Sequence, residues 1–197
     1  MFNKEYNYLI KDSTYIKDNY SKIVDITKIS IEKTKKHLNF QGFDSSQKNN
    51  ITWGYNLYNT FSVNSCSKEY IEIYKFLRES LQEYFFCLDI TLQQCWIQSW
   101  INSHKCNDTL ESHNHNWMFH GYISIDSKNT STVFTDSENQ FLYKIINKPG
   151  QIYIGPGNRY HYVKVNEPFE NERLTLGFDV VIQDMYVPNL SFIPIFL

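Results

Sequence analysis

The sequence predicts an α+β fold, mainly β: a β-sandwich or jelly-roll barrel buttressed by N-terminal helices. Three observations predict it. Apolar residues recur at helical spacings as far as Leu88. The period then shortens to two in seven short segments rich in Trp, Tyr, Ile, Val and Thr, and polar, Gly or Pro turns separate those segments. A chain of 197 residues suits one domain, and 42% hydrophobic with 17% aromatic content is ample for a core, which excludes general disorder.

From Tyr15 to Leu38, Ile23, Val24, Ile26, Ile29 and Ile31 form one apolar stripe among lysines and acids, a helix that ends before Gly42. Asp44–Asn50 (DSSQKNN) reads as a polar loop. Ser67 can cap a second helix, because its hydroxyl can accept from an unpaired N–H of the first turn. Tyr70, Ile73, Tyr74, Leu77, Leu81, Tyr84 and Phe85 then fall on one face that needs a flat partner. The strands are Leu92–Asn102, Phe119–Asp126, Ser131–Thr135, Phe141–Ile146, Gln151–Ile154, Tyr160–Asn166 and Glu172–Gln183. The closing MYVPNLSFIPIFL holds two prolines among apolar residues and is expected to pack as an extended tail over the sheet or against a partner chain.

Nineteen basic and twenty-one acidic residues give a net charge of −2 and lie scattered, which excludes the basic field that sequence-independent nucleic-acid binding needs. No apolar run approaches the roughly 18 residues of a membrane span, and the first residues lack a signal-peptide pattern. A cytoplasmic protein without a membrane partner is expected. Cys66, Cys87, Cys95 and Cys106 form no CxxC pair and receive no chemical role.

Four of the six histidines lie between positions 113 and 161. In an extended segment His113 and His115 point to one side, a spacing that can grip one metal ion. His161 follows the turn residues Gly155, Pro156 and Gly157. If its strand lies beside the first in a rolled barrel, three imidazoles occupy one face of a metal and leave about three octahedral positions open. In the strand ERLTLGF, Arg173, Thr175 and Gly177 share a face, so a guanidinium and a hydroxyl form a fork for a carboxylate. An inward arginine is costly unless an anion pairs with it. Trp100, Trp117, Tyr122 and Tyr153 either wall such a pocket or pack in the core, and His120 faces either the cavity or solvent. Asn102 either hydrogen-bonds a ligand or closes a turn, and His37 and His104 read as structural or surface residues.

The order of these elements resembles the Fe(II)/2-oxoglutarate-dependent oxygenases, above all their small phage and marine-bacterial members. The motifs that carry the resemblance are Trp100-Ile101-Asn102, His113-Asn114-His115, Gly121-Tyr122, the Gly155-Pro156-Gly157 turn leading to His161, and Arg173-Leu174-Thr175, all within Gln94 to Val181. The resemblance implies a double-stranded β-helix, the cupin-like jelly roll, with Fe(II) held at the catalytic centre by His113, His115 and His161. It further implies 2-oxoglutarate chelating that iron, with its distal carboxylate on Arg173 helped by Thr175 and Asn102. The implied reaction is decarboxylation of 2-oxoglutarate coupled to hydroxylation of an unidentified small-molecule or peptide substrate. Residues 1–88 would be the helical buttress, 89–183 the jelly-roll core and 184–197 the tail of a single domain, 1–197.

One position departs from the family's commonest pattern, His-x-Asp: here residue 115 is His. The change leaves the site one unit more positive, which favours an anionic chelator. Were a carboxylate to ligate instead, Asp108 or Glu111 would have to fold back. Two competing readings keep the barrel. One is a cupin-type three-histidine dioxygenase that does not use 2-oxoglutarate. The other is a non-catalytic jelly-roll binding protein. Phe192–Leu197 offers apolar surface for a homodimer contact.

Overall fold

Period-two segments pair into sheets wherever their neighbours lie in register. The computed structural model, which describes residues 1–40, 42, 52, 54–91, 94–108, 111–182 and 191–197, shows two antiparallel sheets. The strands are β1 (Phe2–Asn3), β2 (Tyr8–Asp12), β3 (Gln94–His104), β4 (Phe119–Asp126), β5 (Thr130–Thr135), β6 (Phe141–Ile146), β7 (Gln151–Pro156), β8 (Tyr160–Val165), β9 (Arg173–Ile182) and β10 (Phe192–Phe196). The larger sheet runs β1-β2-β7-β4-β9-β3-β10 and the smaller β6-β5-β8. Alternation of the chain between the two sheets makes this a double-stranded β-helix, α+β and mainly β.

The helices are α1 (Thr14–Asp18), α2 (Tyr20–Phe40), α3 (Thr60–Val63) and α4 (Lys68–Cys87), with a 3-10 turn at Tyr55–Leu57. Ser67 caps α4 as expected, its Oγ accepting from the Tyr70 N–H. The α4 face with Ile73, Leu77, Leu81, Tyr84 and Phe85 is buried. It lies on the larger sheet, where Tyr84 and Phe85 both meet Phe119 edge-on. Burial of each such side chain stabilises by about 1.5–3 kcal/mol. Among the described residues no helix is long and apolar enough to cross a membrane.

Four expectations are corrected. The helix expected over Tyr15–Leu38 is two helices. Asn19 interrupts it with non-helical backbone, and its side-chain amide donates to the Tyr15 carbonyl at 2.9 Å. Ile29, placed in the buried stripe, is 51% exposed, and Thr27, Ser30 and Thr34 fill the buried face with Ile23, Val24, Ile31 and Leu38. Residues 1–88 are not purely helical: β2 pairs with β7 and extends the larger sheet, and β1 pairs with β2. A strand of two residues is too short for alternation to declare itself, and the five residues of β2 (YLIKD) set three apolar side chains in a row instead of alternating. The tail does not lie over the sheet but joins it: β10 pairs with β3 from Phe192↔Gln98 to Phe196↔Gln94. Pro194 is tolerated because β10 is an edge strand, and the Tyr74 hydroxyl and Arg78 Nε of α4 donate to the Pro194 and Phe196 carbonyls. The predicted loop Asp44–Asn50, the strand-end residues Leu92, Gln93 and Gln183, and residues 184–190 of the tail lie outside the described residues.

Candidate metal centre

Because side chains alternate along β9, Arg173, Thr175, Gly177 and Asp179 face inward together. Antiparallel register sets partners on either side: Trp100 of β3 and Tyr122 of β4 both oppose Gly177, and His120 of β4 opposes Asp179. These residues line a cavity of about 660 Å³ between the sheets. Gly177 is required there, since a Cβ would stand 2.7 Å from the Trp100 indole. That indole stacks on His115 at 5.7 Å and 20°.

The HxH segment is clamped to β8 by backbone. The His113 N–H donates to the His161 carbonyl at 3.1 Å and the His161 N–H returns to the His113 carbonyl at 2.8 Å. The His115 N–H donates to the Gly157 carbonyl at 2.8 Å. Gly157 permits this approach, because a Cβ would lie 2.0 Å from the Trp117 carbonyl oxygen. His113, His115 and His161 are thereby brought together, with one ring nitrogen of each within 4.8 Å of the others.

Hydrogen bonds then set the tautomers. His113 Nδ1 lies 2.8 Å from the Glu111 carbonyl and His161 Nδ1 3.2 Å from the Arg159 carbonyl. A carbonyl only accepts, so both Nδ1 atoms carry the proton and both Nε2 atoms keep a lone pair. His115 Nδ1 donates to the Asp179 carboxylate, at 2.9 Å from Oδ1 and 3.1 Å from Oδ2. His115 Nε2 is buried with no hydrogen-bond partner. A buried polar atom without a partner is costly, and a cation among three Nε2 lone pairs would satisfy it. Burial pushes the His113 pKa down. Burial, and then the charges of His120, His113 and His115, push His161 well down, so these rings stay neutral, the form that ligates metal.

Asp179 is the residue that sequence reasoning missed. It is 2% exposed and accepts from the Nδ1 atoms of both His115 and His120. Burial raises its pKa, but the two histidines outweigh this and the net shift is downward. The carboxylates considered from sequence do not reach the cluster: Asp108 Oδ2 accepts from the Lys105 N–H in a turn, and Glu111 is exposed. The signal for Asp179 was the same alternation that places Arg173 and Thr175 inward. His115, His120 and Asp179 also bring ligand-type atoms within 4.8 Å of one another. There, however, the imidazole protons are already satisfied by the carboxylate, an arrangement that orients rings. His120 faces the cavity, stacks on His115 at 3.7 Å, and has its pKa lowered to about 4 by burial first and His115 second.

Further into the cavity Arg173 is 4% exposed. Its Nε donates to Thr130 Oγ1 at 3.2 Å, and no carboxylate pairs with it among the described residues. Burial lowers its pKa to about 10, so it remains charged. Asn102 donates to the Thr175 hydroxyl at 3.4 Å and accepts from Trp100 Nε1 at 3.1 Å, so it links the two rather than closing a turn. Trp100, Trp117 and Tyr122 line the cavity, whereas Tyr153 packs behind Tyr122, on which it stacks at 5.4 Å, in the smaller of the two core clusters. His37 bonds the Leu57 carbonyl, and His104 is buried opposite Arg173.

No protein-family model and no curated protein matches the sequence. Among solved structures, a 2OG-Fe(II) oxygenase family protein from Caulobacter crescentus aligns with TM-score 0.54 and 11% identity over 90% of this chain and 78% of that one. An oxidoreductase of the 2OG-Fe(II) oxygenase family from Burkholderia pseudomallei aligns with TM-score 0.42 and 16% identity over 50% of each chain, so this chain spans half its length. A cupin superfamily protein from Desulfitobacterium hafniense aligns with TM-score 0.31 and 12% identity over 43% of this chain and 67% of that one. The likeness to the Caulobacter protein is one of fold, and it extends over most of this chain.

Proposed function

We infer that the protein is an Fe(II)- and 2-oxoglutarate-dependent dioxygenase that hydroxylates a small-molecule or peptide substrate. The observation that carries this reading is the unpartnered, buried Nε2 of His115 beside two imidazoles whose Nδ1 protons are committed to backbone carbonyls. His113, His115 and His161 would hold the iron, which when bound supplies the activation of O2. Three neutral imidazoles leave the charge of the cation uncompensated by any ligand, so a chelating anion is drawn to it, while Asp179 returns one negative charge from behind His115. Arg173, without a carboxylate of its own, would pair with the distal carboxylate of 2-oxoglutarate, with the Thr175 hydroxyl and Asn102 beside it. Trp100 covers His115 and helps to exclude water from the centre.

Anaerobic titration tests the reading. One Fe(II) per chain is expected to bind, with a visible charge-transfer band appearing on addition of 2-oxoglutarate, and His161→Ala is expected to abolish both. A folded protein that binds no divalent metal refutes it. A second reading, a three-histidine dioxygenase that does not use 2-oxoglutarate, is favoured by the lack of a carboxylate in the predicted ligand set. Iron binding without any 2-oxoglutarate band would select it.

A further inference from the structure

We propose that a row of aromatic side chains, Phe134, Tyr153 and Tyr143 leading to Tyr8 and Tyr6, carries stray oxidising equivalents from the metal centre at His161 to the protein surface. The proposal rests on His161 being a metal ligand, as in the proposed function. The rings are nearly in contact. Phe134 lies 5.5 Å from the His161 ring and stacks on Tyr143 at 4.6 Å and 19°. Phe134 also lies 4.7 Å from Tyr153. Tyr143 in turn stacks on Tyr8 at 4.6 Å and 25°, and lies 4.8 Å from Tyr6. One-electron transfer weakens steeply with distance, and no step from His161 through Phe134 and Tyr143 to Tyr8 exceeds 5.5 Å between ring centroids.

Packing accounts for the rings but not for the phenols. Phe134 and Tyr153 are each 1% exposed and Tyr143 is 7% exposed, in a cluster separate from the main core. A buried hydroxyl must find a partner, and those of Tyr143 and Tyr153 find each other at 2.9 Å. Phenylalanine would fill the same space without that requirement. What the hydroxyl adds is an easily oxidised ring, because a phenol can release its proton as the electron leaves.

The proton decides where the hole comes to rest. Burial pushes the Tyr143 phenol up to about 12 and Tyr153 well above the usual range, so neither releases a proton to water. Tyr6 and Tyr8 are only partly buried, and Tyr6 stands beside the Glu5 carboxylate. In the balanced step Tyr6 gives up one electron and its phenolic proton. The electron passes inward through Tyr143 and Phe134 and reduces the centre by one equivalent, and the proton goes to Glu5 or to water. The oxidant is O2, consumed with the 2-oxo acid when no substrate is bound, or a peroxide. A rival exit runs from His115 through Trp100 to Tyr55, which lies 5.7 Å from the indole.

The test loads the full chain with Fe(II) without oxygen, then adds O2 with 2-oxoglutarate, or hydrogen peroxide in a parallel arm, and freezes the mixture. Electron paramagnetic resonance is read with and without ring-deuterated tyrosine, and oxidised residues are mapped by mass spectrometry. The expected result is a tyrosyl signal that narrows on deuteration, with oxidation products at Tyr6 and Tyr8. Phe134→Leu, with iron binding intact, should lose both and shift oxidation to Trp100 and Trp117. The double variant Tyr6→Phe/Tyr8→Phe sits at the surface and folds independently of that core change. It should lose the products at those positions and inactivate faster.

Oxidation of Trp100 or Tyr55 with Tyr6 and Tyr8 untouched overturns the path, as does an unchanged signal and inactivation rate in the double variant. Bound iron with oxidant consumed and no tyrosyl signal also overturns it, while leaving the proposed function standing. A tyrosyl signal with peroxide but no reaction of 2-oxoglutarate removes the co-substrate and keeps the path, and failure of iron to bind overturns both.

Discussion

Replacing Asp179 by asparagine tests the construction of the centre without touching a proposed ligand. The carboxylate accepts from two imidazole Nδ1–H groups, at 2.9 Å from His115 and 3.0 Å from His120. Asparagine keeps one acceptor oxygen and turns the other into a donor, so the two imidazoles, which both reach Oδ1, must share one neutral oxygen, and His115, which also reaches Oδ2, meets an amide N–H there and can lose its acceptor. If His115 is the loser, its proton can move to Nε2, the atom that must be bare to bind metal. A hydrogen bond to a charged group contributes about 1.5–3 kcal/mol, and loss of such an outer partner weakens metal binding by about 10–100-fold. Competition against a chromophoric chelator, with Fe(II) under anaerobic conditions, measures the change. Thermal unfolding of the metal-free variant controls for folding, and Asp179→Asn removes a buried charge, so that protein should not be crippled. Metal affinity equal to that of the wild type in a folded variant would refute the role assigned to Asp179 and weaken the choice of Nε2 as the ligating atom of His115.

Arg173→Ala should retain iron but bind 2-oxoglutarate more weakly by about 1.5–3 kcal/mol, the worth of a charged hydrogen bond; titration of the charge-transfer band reads it, and equal affinity would point to the three-histidine alternative. Gly157→Ala should displace the segment bearing His115, because the added Cβ would stand 2.0 Å from a backbone oxygen that cannot move aside cheaply; metal binding measured by calorimetry should fall even where the protein still folds. Leu77→Ala, at a fully buried site of α4, should lower stability by about 2–5 kcal/mol in denaturant unfolding.

Stability of the metal-free protein should fall as pH drops below about 6.5. Burial, with Arg173 second, holds His104 at about 4, and burial also lowers His113 and His161. Between the unfolded and folded values the unfolded chain takes up protons that the folded chain refuses, so each histidine lowers stability by about 1.4 kcal/mol per pH unit. His104→Gln should flatten that slope in melts at pH 5 and 7, and a slope unchanged by the substitution would count against His104 as a contributor.

Much of the site was legible because its determinants are local. Two histidines separated by one residue need only an extended backbone to face the same way, and alternation from Arg173 to Thr175 needs only that β9 be a strand. The cap on α4 is likewise settled within four residues, by Ser67 and Tyr70. What the chain could not announce were meetings between distant residues. Asp179 lies on the same face of β9 as Arg173 and Thr175, yet its importance comes from His115 and His120, 64 and 59 residues away. The tail reads as extended in either case, and its place beside β3 depends on an edge left open by the rest of the sheet. Local spacing dictates which way a side chain points, since that follows from bond geometry. What it points at is a matter of packing, where the least costly way to bury every polar group and fill every gap is a property of the whole molecule.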